Sequence, residues 1–140
     1  METTVSFQFD EIGQRSGKSF TGKFQIKSVL SRREHFLADE RRRFILGPNP
    51  AGAPPSLQGE AYMLGRLYVL ISDGPEWWMN SDGGLDIADE NVIGELYRLA
   101  EEKVKEKEEE LAAQAKAALT KLASRTSKKS ASQSQADKEE

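Results

Sequence analysis

Two short segments near the N-terminus alternate apolar and polar residues, which is the periodicity of a half-buried β-strand. They run from Val5 to Asp10 and from Phe20 to Lys27, and the polar segment between them contains two glycines. Such an arrangement predicts an antiparallel hairpin with a long loop. An isolated hairpin is only marginally stable, so we expect its apolar face to pack on other elements. That face would carry Phe7, Phe9, Phe20, Phe24 and Ile26.

A first helix is predicted by its end signals. Ser31 and Glu34 have the spacing of a capping box, in which each side chain accepts a hydrogen bond from the other residue's backbone N–H. Gly47 supplies a left-handed stop, and Pro48 prevents the helix from continuing. The proline-rich segment 48–55 then reads as a stiff linker.

The second predicted helix extends from about Ser56 to Ser72 and is apolar on two sides, which is typical of a central core helix. Gly59 and Gly65 lower its intrinsic stability, and close approach of a neighbouring element would offset that cost. A third helix is expected to begin near residue 86 or 89, because aspartate is a good N-cap at either position.

Beyond Val104 the composition becomes charged and then alanine-rich, which favours a helical extension over residues 105–123. Residues 124–140 have almost no apolar content and are predicted to be disordered. Apolar residues recur every seven positions through Leu111 and Ala118, but their companions Lys107 and Gln114 are polar. This half-seam is weak evidence for a coiled coil, and it favours a solvated helix that either docks on a larger partner or frays.

The predicted fold is therefore α+β: an N-terminal β-hairpin packed on about three α-helices, with a long C-terminal helix and a disordered tail. The folded domain would comprise residues 1–104, followed by the extension 105–123 and the tail 124–140.

Composition narrows the function without identifying it. The chain has 140 residues, a net charge of −3 and no cysteine, so disulfides and thiol chemistry are excluded. No apolar run has the length of a membrane span, and the N-terminus does not resemble a signal peptide. These features predict a cytosolic protein that does not bind membranes.

Candidate catalytic and metal-binding residues are weakly patterned. His35 is the only histidine and belongs to no nucleophilic motif. Asp82, Asp86, Asp89 and Glu90 suggest calcium, but aligning Gly83 with the invariant glycine of a calcium loop puts a tryptophan at the first ligand position. We therefore predict no enzymatic activity, no catalytic residues, no metal and no cofactor.

Partner binding is the function class that is left. Trp77 and Trp78 are adjacent, and in an extended segment their rings would point to opposite sides, with one free to anchor a partner. The other interpretation, in which both rings cap the core, stays open. The predicted partner-binding residues are Trp77, Trp78, Met79, Tyr68, Arg41, Arg42 and Arg43. The arginines also suit phosphate, but nucleic acid is less favoured because the chain is acidic overall.

Taken together, several spaced motifs resemble the small proteins encoded among the head and tail genes of tailed bacteriophages, and most of all the tail assembly chaperones. The first half of the likeness contains Phe20-x-Gly22-x-Phe24-x-Ile26-Lys27, Leu30-Ser31 and Asp39-x-x-Arg42-Arg43-x-x-Leu46-Gly47-x-Asn49-Pro50. The second half contains Pro75-x-Trp77-Trp78 and Gly84-Leu85-Asp86-x-x-Asp89-x-Asn91-Val92.

The resemblance implies a non-enzymatic protein of the host cytoplasm that binds the tape measure protein and recruits tail tube subunits. In such chaperones an additional folded piece is often made by frameshifting, and no such piece is visible in this chain. The alternative is therefore a structural component of the virion, such as a decoration or head–tail joining protein that contacts the capsid or portal. A nucleic-acid-binding accessory protein is a further alternative.

Overall fold

The computed structural model describes the backbone of residues 4–138 and the side chains of residues 4–125. The sheet and helices form an α+β architecture, as the sequence predicts. In chain order the elements are β1 (Thr4–Ile12), β2 (Ser19–Lys27), α1 (Arg32–Leu46), a 3-10 turn (Pro50–Gly52), α2 (Pro55–Leu70), β3 (Ile71–Asp73), α3 (Glu76–Met79) and α4 (Glu90–Lys138).

The predicted hairpin is present, and it is extended by a strand that the sequence did not indicate. Strands β1 and β2 pair antiparallel with Phe7 opposite Phe24, and the predicted aromatic face packs into the core. The third strand, β3, pairs antiparallel with β2 and places Ile71 opposite Ile26. The prediction that α2 continues to Ser72 was wrong: pairing with β2 ends the helix at Leu70.

Helix α1 is capped as its sequence predicts. The Ser31 hydroxyl accepts from the backbone N–H of Glu34 at 3.2 Å, and the Glu34 carboxylate accepts from the backbone N–H of Ser31 at 3.0 Å. The ammonium group of Lys27 donates to the same carboxylate at 2.6 Å. This hydrogen bond from Lys27, followed by that from the Ser31 amide, lowers the pKa of Glu34 to about 2. At the other end Gly47 adopts a φ of +86°, and its N–H donates to the carbonyl of Arg43.

Helices α1 and α2 approach closely at one glycine. A Cβ added to Gly65 would lie 2.5 Å from the carbonyl oxygen of Ala38, so only glycine allows this separation. The expectation that a close neighbour offsets the cost of glycine in α2 is thus confirmed for Gly65. It is wrong for Gly59, where an added Cβ would meet no atom within 4 Å.

The tryptophan pair lies on the short helix α3, not on the extended segment that was predicted. The Trp78 side chain is only 4% exposed. The ring of Trp77 packs against Phe20 with centroids 5.0 Å apart, and its Nε1 donates to the carbonyl of Thr21 at 2.9 Å. Consecutive residues of a single helical turn can both face the sheet, and both rings therefore belong to the core. The second of the two interpretations is the one observed.

The chain divides into two compact units, Met1–Lys105 and Glu106–Glu140. The first contains the sheet, helices α1 to α3, the start of α4 and the apolar core. In the second, α4 is helical through Lys138. The predicted disordered tail, 124–140, stays a prediction, because the side chains after Arg125 and residues 139–140 lie outside the described part. Within that part, no helix is both long enough and apolar enough to cross a bilayer.

Candidate protein-docking surface

An apolar pocket opens in the first unit beside the start of α2. The end of α1, the proline-rich linker, α2, the turn before α4 and α4 itself all contribute to it, and its volume is about 210 Å³. Gly47 ends α1, which lets the linker cross over, and Pro55 at the first position of α2 starts that helix. The lining residues are Ile45, Leu46, Ala53, Leu57, Glu60, Ala61, Leu64, Gly84, Leu85, Ile87 and Ile93.

The walls of this apolar pocket include side chains that water still reaches. Leu57 is 50% exposed and Leu85 is 38% exposed. The volume is below the range of about 300–1,000 Å³ that is usual for drug-sized ligands. Its size and lining instead suit one or two apolar side chains inserted from another protein.

Next to the apolar pocket, the turn over residues 82–84 contacts a cluster of side chains on α1 and α2: Arg41, Phe44 and Tyr68. The guanidinium carbon of Arg41 lies 4.5 Å from the ring centre of Tyr68 and 5.2 Å from that of Phe44. Its Nη2 donates to the backbone carbonyl of Asp82 at 2.8 Å and to the carboxylate at 3.2 Å. The Arg41 side chain is 13% exposed. It therefore holds two exposed rings in place and presents little charge to solvent.

The other two predicted arginines share one ion-pair partner within the chain. Arg42 and Arg43 both pair with the carboxylate of Asp39, each at 3.0 Å. Arg42 further donates to the side-chain oxygen of Gln58 at 3.4 Å. Two carboxylates therefore offset most of the charge of the three arginines in the Arg41–Arg43 run, which makes this face of α1 less suited to binding phosphate.

Besides the three arginines, the four other residues predicted to bind a partner are placed in two environments. Tyr68 and Met79 are about half exposed, whereas Trp78 is buried and Trp77 half-buried. Phe44 and the lining of the apolar pocket were missed. Leu57 and Leu85 carried a signal, since each is a large apolar residue in a polar stretch that starts a helix or forms a turn.

A second, polar cavity of about 290 Å³ lies between α1 and α2 and includes the only histidine, His35. Its guanidinium groups are engaged: Arg42 pairs with Asp39, and Arg66 donates to both carboxylate oxygens of Glu101 at 2.9 and 3.3 Å. With its cations already paired, the cavity offers neither an activated nucleophile nor an open anion site.

Three of the four acidic residues considered for calcium have separate partners within the chain. Asp82 pairs with Arg41, and Glu90 pairs with Arg15 at 3.3 Å. Asp89 was expected to cap α4, but its carboxylate accepts from the Ser16 hydroxyl at 2.7 Å and from the backbone N–H groups of Ser16 and Arg15 at 3.0 and 2.7 Å. Across the described residues, no three histidine, aspartate or glutamate side chains form a group that could hold a metal.

Asp89 instead ties the hairpin loop to the start of α4. The hydrogen bonds from the Ser16 hydroxyl and then from the Ser16 amide hold the pKa of this carboxyl below its ordinary value. Asn91 adds two bonds to the same loop: it accepts from the backbone N–H of Gln14 at 3.0 Å and donates to the carbonyl of Ile12 at 2.9 Å. Gly13 is required here, because an added Cβ would lie 2.4 Å from the Asp89 carboxylate.

The docking surface proposed below thus consists of the apolar pocket and the exposed rings beside Arg41. Comparison of the chain with protein-family models, with curated proteins and with solved structures finds no match.

Proposed function

We propose that this chain is a non-enzymatic tail assembly chaperone of a tailed bacteriophage, which binds the tape measure protein and tail tube subunits in the host cytoplasm. The resemblance of residues 20–100 to that class supports the phage assignment. The apolar pocket, with exposed Leu57 and Leu85 in its walls, is the observation that carries the protein-binding part.

The proposed mechanism is shielding of apolar surface. A tape measure protein presents long apolar helices that aggregate when uncovered. Inserting one leucine-sized side chain into the apolar pocket is worth about 1.5–3 kcal/mol, which alone gives weak binding. Phe44 and Tyr68, 66% and 49% exposed, provide further contact area beside Arg41, which is bonded to the turn 82–84. Aromatic anchors of this kind commonly dominate binding energy.

The buried tryptophan has a supporting role in this proposal. A Cβ added to Gly84 would lie 2.9 Å from the ring of Trp78 and 2.9 Å from Leu64, so the turn rests directly on both side chains. Trp78 therefore shapes the floor of the docking surface without contacting the partner itself.

The ion pairs of the three arginines favour a protein partner over nucleic acid. Binding a phosphate backbone requires cations that are available to release counterions. Arg41, Arg42 and Arg43 are each paired with a carboxylate, and the whole chain carries −3.

Co-expression of the full chain with the products of neighbouring genes, followed by pull-down and mass spectrometry, tests the proposal. We expect recovery of a long, helix-rich partner, and at least a tenfold loss of recovery for Leu57→Gln. The matched control is Ile12→Gln, which changes a similarly exposed residue on β1, away from the apolar pocket. Equal recovery by both variants, or recovery of no long helical partner, would contradict the proposal.

Purified phage particles separate the chaperone from the structural alternative. A chaperone is absent from finished particles, because it leaves when the tube assembles on the tape measure. Finding stoichiometric amounts of this chain in washed particles would instead identify a decoration or head–tail joining protein.

A further inference from the structure

In the part of α4 that belongs to the second unit, Leu111 and Ala118 also form a seam with companions other than Lys107 and Gln114. Leu111, Ala115, Ala118 and Leu122 follow one another at alternating intervals of four and three residues. At about 100° per residue, this spacing keeps all four within a narrow stripe of the helix. Extending the same spacing by one step at each end adds Glu108 and Arg125.

Five of the six positions of this stripe are exposed to solvent, and Leu111 is half-buried. Leu122 is 62% exposed, and Leu119, which flanks the stripe, is 67% exposed. Ala115, Ala118, Glu108 and Arg125 are also exposed. Two leucines and a run of alanines on one side of a solvated helix are unusual unless a second helix covers them.

Side-chain sizes along the stripe are symmetric about its centre. The charges at its two ends have opposite signs. From N- to C-terminus the stripe runs Glu, Leu, Ala, Ala, Leu, Arg, centred between residues 116 and 117. An antiparallel copy of the same helix would place Leu111 opposite Leu122 and Ala115 opposite Ala118. Each end of the seam would then be closed by Glu108 of one copy against Arg125 of the other.

Charge beyond the seam favours the same orientation. Residues 106–110 contain four glutamates and one lysine, a net charge of −3, whereas residues 111–125 contain two lysines and one arginine, a net charge of +3. A parallel pair would set Glu108 against Glu108 and Arg125 against Arg125. An antiparallel pair brings the acidic end of each helix to the basic end of the other.

We propose that residues 108–125 form an antiparallel two-helix coiled coil with a second copy of this chain. The helix that covers the stripe is thus the same segment of a second copy. On one side of the seam, Leu119 extends the interface by contacting Ala112 of that copy. The seam is about 27 Å long at 1.5 Å per residue. An interface this short predicts an association in the micromolar range.

Sedimentation equilibrium of the full chain from 5 to about 500 µM tests association, a range chosen for a micromolar dissociation constant. The average mass should rise from 15.6 kDa towards twice that value. Leu122→Glu should keep the chain monomeric throughout, whereas Thr120→Glu, which adds the same charge on the opposite side of the helix, should dimerise like the wild type. A mass that stays at the monomer value, or equal behaviour of the two variants, would overturn the proposal.

Charge reversal tests the orientation. Glu108→Arg and Arg125→Glu should each weaken dimerisation about tenfold, a change of about 1.4 kcal/mol. The double variant should recover wild-type association, because the reversed pairs again have opposite signs. A parallel dimer keeps like charges opposite each other in every variant, so it predicts no weakening by either single change. That result, or a double variant that stays as weak as the single ones, would overturn the antiparallel register.

Disulfide capture provides a second readout, since the chain has no cysteine of its own. Mixing Leu111→Cys with Leu122→Cys under mild oxidation should give the mixed disulfide. Each variant alone should stay uncoupled, because like positions lie about 16 Å apart along an antiparallel pair. Coupling within either single variant would refute the register. This proposal does not depend on the chaperone function, so the failure of one leaves the other standing.

Discussion

Gly65→Ala is the sharpest test of how the helices pack. In an isolated helix this change is favourable, because alanine is better than glycine by about 1 kcal/mol. In this chain the added methyl group would lie 2.5 Å from the carbonyl oxygen of Ala38. That distance is about 1 Å short of ordinary contact, and the opposing atom belongs to the backbone of α1, which cannot rotate away.

The two effects have opposite signs, so their magnitudes decide the outcome. Forcing an extra methyl group into a packed site costs typically about 1–3 kcal/mol, and a rigid backbone neighbour places Gly65 in the upper part of that range. After subtracting the helix-propensity gain, we expect a net destabilisation of about 1–2 kcal/mol. Gly59→Ala on the same helix meets no atom within 4 Å. It should stabilise the protein by about 0.5–1 kcal/mol.

Urea unfolding followed by tryptophan fluorescence measures this difference, since Trp77 and Trp78 both pack in the core of the first unit. The two variants should differ by about 2 kcal/mol, or about 1 M in urea midpoint for an m-value near 2 kcal/mol/M. If Gly65→Ala is as stable as Gly59→Ala, then α1 and α2 are farther apart than described and the argument is refuted.

Three further predictions follow from contacts in the first unit. Trp78→Ala should lower the free energy of unfolding by about 3–5 kcal/mol in thermal melts, because the ring is 4% exposed; a loss below 1 kcal/mol would mean it is not core. Ser31→Ala should lower the free energy of unfolding, measured in urea, by about 1 kcal/mol. An unchanged free energy would mean that Glu34 alone caps α1. Asp89 has a pKa below its unfolded value of about 3.9, so its contribution is present above that pH and is lost as the pH falls through the folded pKa. Asp89→Asn should make the free energy of unfolding fall less steeply as the pH is lowered. The same acid dependence in the variant and the wild type would contradict this.

Local signals in the sequence predicted the elements that depend on nearby residues. The Ser31–Glu34 box and Gly47 correctly bounded α1, because capping is decided within four residues of a helix end. The alternation of Phe7, Phe9 and Phe24 likewise predicted the hairpin and its buried face, since a strand period of two assigns the faces directly.

Elements that depend on distant residues were not predictable in the same way. Ile71 ends α2 and joins the sheet because Ile26, 45 positions earlier, offers a pairing partner. Trp77 and Trp78 sit on a helical turn that places both rings against the hairpin, a choice that depends on the sheet being there already. The apolar pocket is assembled from five separate segments, so no single stretch of sequence could reveal it.

The two halves of the phage resemblance contact each other within the fold. A Cβ on Gly22 would lie 2.6 Å from the Pro75 ring, and the Trp77 indole donates to the neighbouring carbonyl of Thr21. Asp89 holds the hairpin loop in a similar way. Residues with such internal roles specify the fold, and substituting them would damage partner capture simply by unfolding the domain.

A test of function must therefore leave those motifs intact. Leu57 and Tyr68 are each about half exposed, and Phe44 is more so. Leu57 and Tyr68 lie outside the resembling motifs, and Phe44 occupies a position that its motif leaves unspecified. Polar substitutions there remove contact area and cost the core little, because the side chains already face water. Loss of capture at unchanged melting temperature would then locate the function on this surface, whereas the same loss at Trp78 would report only on folding.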